Sequence, residues 1–353
     1  MNLQIMSPIG YTGYGYAALN IIKSLHHQDN LVGLSLIGNP NVDNEEDRDI
    51  VKSCLDNQIN ISYDAPSVKI WHQFDLLSHV GRGKYYAFPF FEVDKLPTNE
   101  IYHINSADEV IVSCEWAKQV LLSNSITKPI NVVPLGVDRN IFKPPSENIK
   151  PKENYVFCSI GKWEKRKAHD TIIECFNKAF DTDDNVELWL LTHNGFLNQQ
   201  QEHEWLSLVN TSKLKNKIKV FPRLPSHHSV AETISYTDCG IYISRGEGWN
   251  LELLETMSMG KPVIVSNYSA HTEYCNSDNS FLVDMNATEP AIDNKWFFGK
   301  ANWGKIDKQQ IEQTVEHMRY VYKKEIRQNP SGILTANNYT WTHTAEKLVK
   351  ILE

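Results

Sequence analysis

The sequence predicts an α/β protein built from two successive doubly wound domains with parallel sheets. Three observations carry that reading. Short apolar runs alternate with amphipathic helical patterns from end to end. A charged, proline-bearing stretch almost devoid of apolar residues interrupts the alternation, which then restarts. Finally, 353 residues exceed what one ordinary core needs and suit two full interiors.

In the first half the runs LQIM, LVGLSLIG, VKIW, KYYAFPF, EVIVS and NVVPLG read as buried strands, with helices such as YAALNIIKSL and EWAKQVLLSN between them. Lys143 to Asn154, with three prolines, reads as the linker. The second half continues with YVFCSIG, a helix from about Lys167, ELWLLTH, a polar helix over Gln199 to Val209, KIKVF, CGIYIS, KPVIVS and SFLVDM. Helices near Asp307 to Arg327 and Trp341 to Glu353 end the chain. The expected domains are residues 1–146 and 150–335, with the helix 341–353 packing back on the first. Two such domains place a ligand cleft at the carboxyl ends of their strands.

Composition narrows the function classes. Hydrophobic residues make up 41% and charged residues 22%, the balance of a soluble globular chain, and a net charge of −8 argues against a surface devoted to polyanions. Six cysteines form no C-x-x-C pair and no zinc-like cluster, which suits a reducing cytoplasm. The first residues show neither a basic stretch nor a long apolar core, and no apolar run approaches the roughly 20 residues of a membrane span. A cytoplasmic protein with no integral membrane association is expected.

MSPIGYTGYGYAAL, residues 6–19, places a glycine-rich turn between a strand and a helix, the layout of a loop that cradles phosphate. Gly13, Gly15 and Ala18 fit the G-x-G-x-x-A form of a dinucleotide fingerprint. However, the second strand ends in Gly38 and Asn39, where such a fold needs an acid for the ribose. The nicotinamide reading therefore lacks its second anchor.

The richest stretch is SRGEGWNLELLETMSMGKPVIVS, residues 244–266. A strand ends at Ser244, a turn carries Glu247 and Gly248, and a helix begins near Leu251 with Glu255 expected on its first turn. Backbone amides of Trp249, Asn250 and Leu251 at the helix onset favour an anion or a hydroxyl-rich ligand. Carboxylates grip vicinal hydroxyls in a bidentate way, which suits a sugar at Glu247 and a ribose at Glu255. The bland alternative is an acidic first turn that complements the helix dipole. In SIGKWEKRKAHD, Gly161, Lys162 and Lys167 follow a buried strand at a turn into a helix, where two ammonium groups can neutralise a diphosphate.

These stretches resemble family 4 retaining glycosyltransferases of GT-B fold, the glycosyl transferases group 1. Residues 244–264 resemble the family's paired-glutamate signature, with Glu247 and Glu255 at its two acidic positions. VVPLGVDRNIFKP, residues 132–144, resembles its motif at the end of the first domain. Residues 159–170 resemble its donor-phosphate loop, with Lys162 where the family has Arg and Ala168 where it has Gly. The glycine loop resembles the family's loop after the first strand. The resemblance implies a GT-B fold of two Rossmann-like domains facing a central cleft, the first binding acceptor and the second a nucleotide-sugar donor. It implies a nucleoside-diphosphate sugar, UDP- or GDP-linked, as substrate, no prosthetic group, and retention of anomeric configuration. Lys162, Lys167 and glycine-loop amides would stabilise the leaving diphosphate without metal.

In the first domain the family commonly has a His after the fourth or fifth strand, and KIWHQFD offers His72. FPFFEVDKLP resembles a subgroup with a Glu near the scissile bond or acceptor, which points to Glu92. His72 is divided evenly between a packing role and a functional one. Asp181 and Asp183 lie in a polar turn, and the pairs His26/His27 and His227/His228 lack partner ligands, so no metal site is read. Trp163 and Trp249 offer surfaces for a base or sugar, although packing is the commoner use. KLKNKIKVFPR reads as the solvated face of an edge strand.

A soluble or polymeric acceptor is expected, because the first helices are not strongly cationic. The minority alternative is a nucleic-acid base hydroxyl, as in enzymes that decorate phage DNA. Outside transferases stand a sugar-nucleotide binding protein without transfer activity and an epimerase of the same fold.

Overall fold

Residues 1–11, 13–42, 44–145 and 153–353 are described by a computed structural model. The chain divides into two units, Met1–Gly136 with Tyr339–Glu353, and Val137–Asn338. The division falls ahead of the stretch 143–154 read as linker, of which residues 146–152 lie outside the described residues.

The first unit is built on a parallel sheet of β1 (Asn2–Ser7), β2 (Leu31–Leu36), β3 (Ser67–Lys69), β4 (Tyr85–Ala87), β5 (Glu109–Val112) and β6 (Ile130–Val132). The order is β2-β1-β3-β4-β5-β6. Its helices are α1 (Gly13–His27), α2 (Glu45–Asn57), α3 (Thr98–Asn105) and α4 (Glu115–Ser123). Ile5 on β1 pairs with both Leu34 and Val68, so β1 lies inside the sheet and the loop that follows it opens beside the loops after β3 and β4. The start of α2 is fixed by Asn44, whose side chain accepts the Asp47 N–H at 2.7 Å.

The second unit repeats the plan with β7 (Tyr155–Ile160), β8 (Val186–Leu191), β9 (Ile218–Val220), β10 (Cys239–Tyr242), β11 (Val263–Asn267) and β12 (Phe281–Asp284), in the order β12-β11-β10-β7-β8-β9. All six residues of β7 are buried, as a central parallel strand covered on both faces requires. The lysine-rich run around β9 lies at the sheet edge. Around the sheet stand α5 (His169–Ala179), α6 (Gln199–Asn210), α7 (His227–Ser235) and α8 (Leu251–Ser258). An antiparallel hairpin of β13 (Thr288–Ile292) and β14 (Phe298–Gly304) follows, then α9 (Lys308–Lys323) and α10 (Pro330–Asn338). Capping boxes at Asn198/Gln201 and Asp307/Gln310 set the starts of α6 and α9. The core gathers Phe157, Phe176, Leu188, Ile241 and Met318, all fully buried.

The last helix, α11 (Trp341–Leu352), belongs to the first unit and packs on α1, where the ring of Trp341 meets that of Tyr16 at 6.2 Å. Three sequence expectations differ from the structure. The helix expected from Lys167 begins at His169, because Ala168 adopts a left-handed φ of 57° ahead of it. Neither the hairpin nor α10 was anticipated. No helix among the described residues is long and apolar enough to cross a membrane.

Candidate active site

In the first unit the glycine loop turns from β1 into α1. Gly13 has φ +48°, which strains any residue carrying a Cβ, and a Cβ on Gly15 would lie 2.7 Å from the Gly10 nitrogen, so a side chain is sterically excluded at Gly15. Between them Tyr14 reaches over to the strand β4 side: its hydroxyl donates to the Phe90 carbonyl at 2.6 Å and accepts from the Phe90 N–H at 3.0 Å. The Tyr14 ring meets His72 at 4.6 Å and Phe90 at 4.9 Å. Burial pushes the Tyr14 hydroxyl well above its usual range, and the charge of Glu92 adds to that push. The structure thus gathers Gly13, Gly15, His72 and Glu92 around one tyrosine at the carboxyl ends of β1, β3 and β4, neighbours in the sheet.

The remaining predicted residues lie in the second unit, on the loops that leave the adjacent strands β7 and β10 and on α8. Gly161 follows β7 with φ +137°, and a Cβ there would stand 3.0 Å from the Lys167 side chain. Lys162 pairs with Glu164 at 3.2 Å and lies 5.2 Å from the Phe196 ring centre. Lys167 points inward, its side chain 7% exposed, and its ammonium sits 3.0 Å from Glu247 and 3.6 Å from Glu252. Burial alone would lower its pKa, but the facing Glu247 and Glu252 charges raise it, so the group stays an ammonium ion.

Glu247 has a second cation that the sequence reading passed over. The Arg166 guanidinium stands 2.7 Å from its other oxygen and donates to the Gly246 carbonyl at 2.8 Å and to Glu164 at 2.8 Å. Burial would raise the Glu247 carboxyl, yet Arg166 and then Lys167 overcome that and hold it far below the ordinary carboxylate range. The Glu247 N–H donates to the Ser269 hydroxyl at 2.9 Å. Backbone bonds lace the loops together, the Arg245 N–H donating to the Arg166 carbonyl at 2.7 Å and the Arg245 guanidinium to the Lys165 carbonyl at 2.6 Å. The only sequence signal for Arg166 was its place in the basic run beside Lys167.

Past Gly248, Asn250 takes φ +76° and caps α8, its side chain accepting the Leu253 N–H at 3.2 Å while its amide meets the His271 ring at 2.9 Å. The Trp249 and Asn250 carbonyls both accept from the Tyr274 hydroxyl, at 2.9 and 3.0 Å. Leu251 opens α8. Glu255 therefore falls on the second turn rather than the first, and the acid of the first turn is Glu252, the partner of Lys167. Glu255 is buried, and burial, with Glu252 and Asp138 nearby, drives its carboxyl well above the ordinary range. Just after the loop that follows β7, His169 is fully buried and held at about 3, chiefly by burial and then by Lys167. Trp163 stacks on Trp205 at 5.1 Å and Trp249 leans on Tyr274 at 5.0 Å, so each aromatic has an internal partner. Among the described residues no group of three His, Cys, Asp or Glu side chains is arranged to hold a metal ion.

Comparison with known proteins agrees with the fold. Superposed on the structure of Anabaena HepE in complex with UDP and glucose, the chain gives a TM-score of 0.74 at 13% identity, covering 100% of this chain and 99% of that one. The fold is GT-B. Within the GT-B fold, residues 141–294 match the family model described as glycosyl transferases group 1, a span that contains Lys162, Arg166, Lys167, Glu247 and Glu255. Among curated proteins, a putative glycosyltransferase of Sulfolobus islandicus filamentous virus is 22% identical over 215 residues, 58% of this chain and 55% of the relative. An uncharacterized glycosyltransferase of Methanocaldococcus jannaschii is 25% identical over 173 residues, 46% of this chain and 40% of the relative. The matched regions thus span about half the length of these curated relatives.

Proposed function

We propose that this GT-B chain transfers a sugar from a nucleoside-diphosphate sugar to an acceptor hydroxyl, with retention of anomeric configuration. The observation that carries the proposal is the buried contact of Lys167 and Arg166 with Glu247, which sets cations for a diphosphate beside a carboxylate for sugar hydroxyls on adjacent strands. Lys162, with Lys167, meets the charge that grows on the departing diphosphate, a role that needs no metal ion. Glu255 and the onset of α8 receive the ribose. In the first unit, His72 and Glu92 beside the glycine loop serve the acceptor and the anomeric centre. The six buried free thiols favour a reducing compartment, in keeping with a cytoplasmic enzyme.

A thermal-shift panel of UDP-, GDP- and ADP-sugars tests this reading. A donor at 100 times its Kd stabilises by about 2.7 kcal/mol. The expected outcome is a clear upward shift with one nucleotide class, undiminished by EDTA and lost in Lys167→Ala. No shift with any of the three overturns the proposal. Release of free nucleoside diphosphate only when a hydroxyl acceptor is present then separates transfer from mere binding.

A further inference from the structure

Beside the loop that follows β7 lies a pocket of about 290 Å³ whose lining includes Trp163, Trp205 and Trp296, the last on the turn between β13 and β14. None of the residues assigned to transfer lines it. Its outer wall is a built feature. The Asp293 carboxylate accepts the N–H groups of Lys295, Trp296 and Phe297 at 2.9, 2.8 and 2.8 Å, which fixes the turn. The Lys295 ammonium then ties that turn to α6 by donating to the Phe196 carbonyl and to the Gln201 side chain. This ordered turn holds Trp296 outward, 52% exposed, with its ring edge-on to Phe196 at 5.8 Å, itself 62% exposed. A large aromatic held in water by an ordered turn, with a second exposed ring beside it on the segment before α6, marks a ligand surface.

The chemistry around the rings selects the ligand. Glu204 and Gln201 bring a carboxylate and an amide to the same pocket, and Lys165 and Lys295 bring ammonium groups. The exposed Trp296 ring, with planar acceptors and donors of both signs beside it, suits a molecule with an apolar face and an equatorial fringe of hydroxyls. Mixed charge argues against a simple anion, and the polar fringe against an aliphatic chain. We infer that this pocket is a second carbohydrate site, which takes a hexose ring of a glycan apart from the transfer centre. The inference goes beyond the proposed reaction and stands or falls separately from it.

The test uses the whole chain, titrated by tryptophan fluorescence and calorimetry with methyl glycosides of glucose, galactose, mannose and N-acetylglucosamine. At least one is expected to bind with millimolar affinity, as about 4 kcal/mol of contact would give. Trp296→Ala should weaken it by about tenfold, or roughly 1.4 kcal/mol, and Glu204→Gln by a smaller factor. Because Trp296 and Glu204 are exposed, both variants should fold, and a circular dichroism spectrum and melting temperature unchanged from wild type verify that they have. Saturating UDP should leave glycoside binding intact. The inference is overturned if no glycoside binds, if Trp296→Ala binds as wild type does, or if UDP displaces the sugar. A chain that binds glycoside but no nucleotide would sink the transferase reading and leave this site standing.

Discussion

Replacing Lys167 by Met removes one charge from a buried cluster while keeping most of the side-chain stem. At an effective dielectric of about 20, unit charges at the 3.0 Å of the Glu247 contact attract by about 5.5 kcal/mol, and at the 3.6 Å of the Glu252 contact by about 4.6 kcal/mol. Desolvation of the three groups offsets most of that sum. Removing one member of a buried pair typically costs about 3–5 kcal/mol, and Arg166 still holds Glu247 at 2.7 Å, so the lower end, about 3 kcal/mol, is expected. Glu247→Gln should cost a comparable amount, because it leaves two buried cations short of a counter-charge. Each single change already breaks the contact, so the double variant should lose at least about 1 kcal/mol less than the two costs added together. The assay is urea unfolding of the four proteins, read on the transition of the second unit, which holds six of the nine tryptophans. The coupling should persist in about 1 M salt, because buried pairs escape screening. Additivity within about 0.5 kcal/mol would refute the claim that Lys167 and Glu247 act as one buried unit.

Further outcomes follow from the same groups. Lys167→Ala and Glu255→Ala should each lower transfer by more than about tenfold, or roughly 1.4 kcal/mol in the barrier, measured as nucleoside diphosphate released per minute. Glu92→Gln should impair transfer while calorimetry shows unchanged nucleotide affinity; a lost affinity would remove Glu92 from the acceptor side. Acid should destabilise the second unit in two stages. His169, held at about 3, and His271, held at about 4, are buried neutral, so the unfolded chain binds more protons as pH falls below about 6.5 and stability begins to drop. Glu247, whose carboxyl is depressed by its cations, extends the loss below about 4.5. A melting temperature flat from pH 7 to 4 would contradict both stages. Glu255 runs the other way: its raised carboxyl keeps a proton that the unfolded chain gives up above about pH 4.5. Glu255→Gln should therefore raise the melting temperature at pH 8 and leave it unchanged at pH 4.

The two sheets were legible because parallel strands buried on both faces appear as short unbroken apolar runs, and β7, buried at all six positions, is the clearest case. The hairpin β13–β14 was not, because TEPAI and FGKANWG carry a proline, two glycines and few β-branched residues, and half of their positions are exposed. Helix α10 hid behind Pro330 and Gly332, although Asn329 before the proline is a start signal, its side chain accepting the Gly332 N–H at 2.8 Å. Lys167, Glu247 and Glu255 could be found because they sit in contiguous motifs with fixed spacing. Arg166 is separated from Glu247 by 81 positions (247 − 166) and by three intervening crossovers. Their contact exists only because the strand order places β10 directly beside β7, information that resides in topology and in no local pattern.

That same adjacency makes the loops after β7 and β10 mechanically one body. The hairpin extends this body. Arg245, whose backbone and guanidinium grip the 165–166 turn, also pairs with Glu289 on β13 at 3.1 Å, and its carbonyl accepts the Gly304 N–H at 2.6 Å. Trp303 adds a hydrogen bond to the same Glu289 carboxylate at 3.3 Å. A hairpin with no strand of the main sheet as a partner thus braces the turn that carries Arg166 and Lys167, and its tip supplies Trp296 to the neighbouring pocket. Because the bracing contacts are charge-assisted and partly buried, Arg166 and Lys167 are held in place, and on the proposed reading they need little ordering when a diphosphate arrives. Electrostatic stabilisation of a leaving group works best from groups already fixed before the charge develops. The hairpin, the least legible element of the sequence, is therefore what gives the most legible motif its rigidity.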